Sequence, residues 1–102
     1  GGGGGVPSLR AQVGAAIRAY ALEQGALRPM FEHAGLQWDG SLAERMVATA
    51  AAQIGASLQA RGESSYALTT ADGRQNATRL AAIRKYLDKL ISAHVRRLLA
   101  NA

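Results

Sequence analysis

Residues 74–100 read RQNATRLAAIRKYLDKLISAHVRRLLA, and the spacing of their apolar positions decides the fold. Leu80, Ile83, Leu87, Leu90, Ile91, Val95 and Leu98 recur mostly at intervals of three and four. At about 100° per residue they gather on one side of a helix, whereas a strand would require strict alternation. Arg74, Lys85, Lys89 and Arg96 fall on the opposite side. The stretch is therefore expected to be one long helix with a core-facing stripe and a basic back.

Composition points the same way. In a chain of 102 residues alanine is the commonest type and aromatics make up 5%, which favours helices packed through small side chains over a sheet of β-branched and aromatic residues. The class expected is all-α: a small bundle of three main helices, the last of them a long C-terminal helix, plus a short connecting helix. The length suits one core. Without cysteine there are no disulfides and no thiolate metal sites, and this leaves the compartment open. No apolar run approaches the roughly 20 residues of a membrane span, and no charged stretch leads into an apolar leader core. A soluble protein is expected, with no visible address.

The net charge of +5 is unevenly spread. From Arg74 onward there are seven basic residues and a single acid, Asp88, while residues 1–73 carry five basic residues and six acids. The positive field thus belongs to the last helix, where it can attract phosphates, an anionic surface or an acidic protein.

Upstream, punctuation divides the chain. Gly1 to Gly5 lack the Lys-Ser/Thr of a phosphate-binding loop, so residues 1–7 are expected to be a flexible tail or linker and 8–102 a single helical domain. The absence of a starting methionine fits a piece of a larger protein. Ser8 can cap a helix carrying Leu9, Val13, Ala16, Ile17 and Tyr20 and stopped by Gly25. Pro29 suits the first turn of a short helix over residues 30–34, ended by Gly35. Asp39-Gly40 reads as a turn, and Ser41 with Glu44 has capping-box spacing for a central helix over residues 42–58 that ends near Arg61-Gly62. In that helix Ala48, Ala51, Ala52 and Ala56 are expected to allow close approach of neighbours. Residues 63–73 are read as a loop, with Asp72 capping the last helix and Gln75 at its capping-box position. A short extended pair turning at Asp72-Gly73 is the alternative. Asn76-Ala77-Thr78 matches a glycosylation sequon but would lie within the first helical turns, where access is poor.

Candidate sites follow from these placements. Arg74, Lys85, Lys89 and Arg96 could track a phosphate backbone or an acidic surface along a helix roughly 40 Å long. The bland reading is a solvated face, and Tyr86 alone is no stacking platform for bases. Phe31 and Trp38 are expected to pack on the core, but where partly exposed they would anchor a protein partner. Arg84 and Asp88 suit an i,i+4 ion pair, and His94 a packing position in a short coiled-coil seam with Leu80, Ile83, Leu87 and Leu90. A helix-turn-helix over residues 21–36 is weak, because its second helix lacks the Arg, Asn and Gln that read base edges. A nuclease-like site would need His33, His94, Glu32, Glu44, Glu63 and arginines brought together, which nothing in their spacing requires. Two histidines without an HExxH pattern argue against zinc, and no motif calls for a cofactor.

The function expected is a non-enzymatic interaction module that docks its basic last helix and adjacent apolar edge on an acidic protein surface. Nucleic-acid binding through the same face is the alternative, a small basic nuclease or toxin-like domain the third reading, and homodimerisation through the long helix a further expectation.

Overall fold

A computed structural model describes residues 7–102, so residues 1–6 of the expected tail lie outside the described residues. The fold is all-α. Helix α1 spans Leu9–Arg18, α2 Leu27–His33, α3 Gly40–Ala60 and α4 Ala77–Ala100. None of them is long and apolar enough to cross a membrane.

Helix α1 starts as its sequence requires, with Ser8 Oγ accepting from the Ala11 amide at 3.2 Å. It does not run uniformly to Gly25. Its last turn widens into a π turn, Ala19–Glu23, in which the Gln24 amide donates to the Ala19 carbonyl at 2.8 Å. Ala21 stays buried there, and Gly25 at φ 78° then turns the chain into α2. Helix α2 begins three residues before the predicted Met30 and ends at His33, one residue short of the predicted Ala34, with Gly35 in the turn that follows. The Leu36 amide donates to Phe31 and that of Gly35 to Glu32, so two carbonyls that the helix end leaves free are satisfied.

Helix α3 is capped by Asp39, whose carboxylate accepts from the Leu42 amide at 3.1 Å, and not by Ser41. Asp is as good a cap as Ser, and the earlier start leaves Glu44 pointing outward, where it forms a two-pronged ion pair with Arg18 of α1. Arg10 lies against Gly55, Gly14 against Ala51 and Arg18 against Glu44, so α1 and α3 run antiparallel. Ala51 and Gly55 make this close approach, while Ala48 and Ala56, expected to contribute, are exposed. The core is built from Val13, Ile17 and Ala21, from Leu27 and Phe31, from Met46, Val47, Ala50 and Leu58, and from Ile83, Leu87 and Ile91 of α4. Burying such side chains is the main favourable contribution to the fold.

The connection from α3 to α4 corrects the sequence reading. Asp72 does not cap α4. Its carboxylate accepts from the Thr70 hydroxyl and, at 3.3 Å, from the Arg74 amide, which closes a tight turn. Thr69 bridges Gln75 in antiparallel fashion, and the Thr70 amide donates to the Arg74 carbonyl at 2.7 Å. The extended alternative is thus realised as one bridge, short of a strand pair. Asn76 caps α4, its side chain accepting from the Arg79 amide at 3.1 Å, so the sequon asparagine is occupied at the helix start. Tyr66 fastens the connection: its amide donates to Gln12 Oε1 at 2.9 Å and its ring lies beneath the Arg79 guanidinium at 4.7 Å.

Candidate functional site

Helix α4 packs its stripe on the core through Ile83, Leu87 and Ile91, all of them buried. Two of these, Ile83 and Leu87, were seam positions for a coiled coil, and the chain's own core occupies them. The stripe does not continue to its end: Leu98, expected in the core, is 50% exposed, and its neighbour Leu99 is 71% exposed. Helical phase directs Leu98 toward the core side, but α4, at 24 residues, is longer than the elements it packs on, and its last two leucines are exposed.

The basic residues of α4 divide by how they are used. Arg79 is committed to structure: it donates to the Ala67 carbonyl at 2.7 Å, stacks on Tyr66 and lies 3.8 Å from Glu63. Arg84, Lys85, Lys89, Arg96 and Arg97 form no ion pair among the described residues. The expected Arg84–Asp88 pair is absent from this set. Arg74 belongs to the turn before α4, where its Nε lies 3.5 Å from Asp72, so it does not extend the helical face. That correction shortens the basic surface to Lys85, Lys89 and Arg96 of the predicted residues, joined by Arg84 and Arg97.

Two grooves flank α4. The larger, of about 840 Å³, lies between α2 and α4 and is lined on the α2 side by Met30, His33 and Ala34. Across it stand Ile91 and Val95 low on α4, with Arg84, Lys85, Asp88, Ser92 and Arg96 also on the walls. The smaller, of about 470 Å³, lies between the start of α3 and α4, and Leu42, Arg45, Met46, Leu90, His94 and Arg97 line it. The two histidines therefore sit in different grooves, and the structure does not assemble the acid–base set that a nuclease-like site would require. Among the described residues no group of three or more His, Asp and Glu side chains is placed to hold a metal ion.

Phe31 and Trp38 part company. Phe31 is 1% exposed and belongs to the core. Trp38 is half-buried: its ring meets Phe31 at a centroid distance of 5.1 Å, and the Arg28 guanidinium covers it at 4.4 Å. This stack fixes the link between α2 and α3. Leu27 and Phe31 of α2 are both turned inward, and the exposed side of the helix carries Arg28, Pro29, Glu32 and His33. The α2–α4 groove was not legible in the sequence, although Arg84, Asp88 and Ser92 share one flank of the helical wheel.

Ionisation is shifted at few groups. Burial raises the Tyr66 hydroxyl above its ordinary value, with the nearby Arg79 charge acting against this. The Thr70 hydroxyl and the Arg74 amide hold Asp72 below the usual carboxylate range. Both lie in the connection before α4, away from either groove.

No family model, curated protein or solved structure matches the chain.

Proposed function

We propose that the protein is a non-enzymatic docking module whose α4 receives an acidic partner protein. One observation carries the reading: five of the six cations on α4 have no acidic partner among the described residues, and several of them stand beside apolar surface. Elsewhere Arg18 meets Glu44, Arg61 meets Glu63 and Arg74 meets Asp72, while Arg10, Arg28 and Arg45 also form no ion pair; α4 thus holds five of the eight such cations among the described residues. Unpaired surface cations steer an oppositely charged partner and set its orientation, while neighbouring apolar area holds it. A nucleic acid would use the charges but not the apolar surface. No aromatic ring is interleaved with them for base stacking, since Tyr86 is half-buried against the core.

The test is fluorescence anisotropy at two salt concentrations with a labelled glutamate-rich polypeptide, duplex DNA, single-stranded DNA and RNA. Each is titrated against the native chain and against Lys85→Glu with Lys89→Glu. The expected result is binding of the acidic polypeptide that weakens with salt and is lost in the double variant. Tight nucleic-acid binding with a steep salt dependence, and no acidic-polypeptide binding, would replace this reading with nucleic-acid recognition.

A further inference from the structure

The groove between α2 and α4 has walls of two characters, and a ligand of only one character would satisfy neither fully. Its floor is apolar: Met30 and Ala34 on one side, Ile91 and Val95 on the other. Its α4 rim carries Arg84, Lys85 and Arg96, which lack ion-pair partners among the described residues, with Asp88 between them along the helix. A bare anion would leave the floor wet, and a neutral apolar ligand would desolvate cations without pairing them.

We propose that this groove holds an acidic amphipathic helix of a partner protein. Its apolar stripe rests on Met30, Ala34, Ile91 and Val95, and its carboxylates meet Arg84, Lys85 and Arg96. The inference rests on the docking reading above and adds the place, the ligand's shape and its register. Helix-in-groove recognition uses apolar anchors one turn apart on one face, which matches the apolar pairs that α2 and α4 set against each other, Met30 with Ala34 and Ile91 with Val95. Twelve residues separate Arg84 from Arg96, a rise of about 18 Å, so the partner's carboxylates stand about three turns apart. Opposite Asp88 the partner presents a neutral or basic side chain, because a carboxylate there would face a like charge. A recessed apolar floor fits a rod better than a flat bilayer.

The probe is a fluorescein-labelled helical peptide with apolar residues at i, i+4, i+7 and i+11 and glutamates near both ends, with a lysine-for-glutamate copy as control. The native chain is expected to bind the first and not the second. Ser92→Glu alters an exposed groove wall outside the core, so the fold should survive it, and it should weaken binding about tenfold. Lys85→Glu should act similarly, whereas Lys89→Glu, outside the groove, should cost less than about twofold. In amide NMR spectra, peptide-induced shifts should centre on Met30, Ala34, Ile91 and Val95. Binding that Lys85→Glu and Lys89→Glu weaken equally, with Ser92→Glu silent, would overturn the groove and leave acidic docking standing. Binding of duplex DNA or anionic vesicles with no peptide binding would overturn both.

Discussion

The α1–α3 pair and helix α4 meet on one core, yet they dispose of charge and surface in opposite ways. Between α1 and α3 the backbones approach through Gly14, Ala51 and Gly55, and Arg18 finds Glu44 across the interface. Each helix spends its specific features on the other. Helix α4 spends Ile83, Leu87 and Ile91 on the core but leaves five cations unpaired among the described residues and its last leucines in solvent. The contrast is one of degree: the α1–α3 pair joins its helices through small residues and one ion pair, while most of the unpaired cations stand along α4. Burial stabilises both parts, and α4 has more cations left over for a partner than the α1–α3 pair, where Arg10 and Arg45 are the ones without an ion pair among the described residues.

The sharpest way to break that division is at Phe31, which as an anchor would be accessible and as a core residue is not. Phe31→Ala is expected to destabilise the fold by about 3–5 kcal/mol in urea titration, because the deleted ring leaves a cavity beside Trp38. A loss under about 1 kcal/mol would return Phe31 to the surface chemistry. Gly14→Ala tests the satisfied side with the opposite sign. The added methyl would meet Ala51 Cβ at 3.7 Å, an ordinary contact, so better helix propensity should stabilise the protein by about 0.5–1 kcal/mol. Destabilisation would mean that α1 and α3 need the glycine itself.

Between the two regions, Tyr66 gives the connection a pH dependence. Its folded pKa is raised, so the unfolded chain releases that proton first. Its contribution is complete below about pH 10, the ordinary tyrosine value, and is lost as pH rises through the folded pKa. Urea midpoints should therefore fall above pH 10 by more in the native chain than in Tyr66→Phe, and parallel pH profiles would remove the effect. The smallest change is expected at the far end of α4. Leu98→Ala should shift stability by no more than about 0.5 kcal/mol, as for other exposed positions. A core-sized loss would show that the last turn is packed after all.

Much of this architecture was legible before the fold was in view. Ser8, Gly35 and the Arg61-Gly62 stop act over three to five residues, and the Gly62 and Glu63 amides close α3 on Gln59 and Leu58 as such an ending requires. Where the reading slipped, two local solutions competed at similar cost. Asp39 and Ser41 could each cap α3, and Asp72 and Asn76 could each cap α4. The choice went to the residue whose selection also satisfied a distant group: Asp39 frees Glu44 for Arg18, and Asn76 leaves Asp72 to close the turn with Thr70 and Arg74. The basic character of the site was visible as residue types, but its membership was not. Arg74 left the helical face for that turn, and Arg84 entered the α2–α4 groove.

Local sequence sufficed for an all-α chain of four helices, their order, the core-facing stripe of α4 and the concentration of positive charge near the C-terminus. Periodicity, caps and glycine stops are interactions among near neighbours, and the chain carries them wherever it goes. That Phe31 lies inside, that Leu98 lies outside, that Glu44 answers Arg18, and that α2 and α4 leave a groove between them came only with long-range packing. Those outcomes depend on which surfaces meet across tens of residues and how far each helix outreaches its neighbours, geometry that helical spacing alone does not contain.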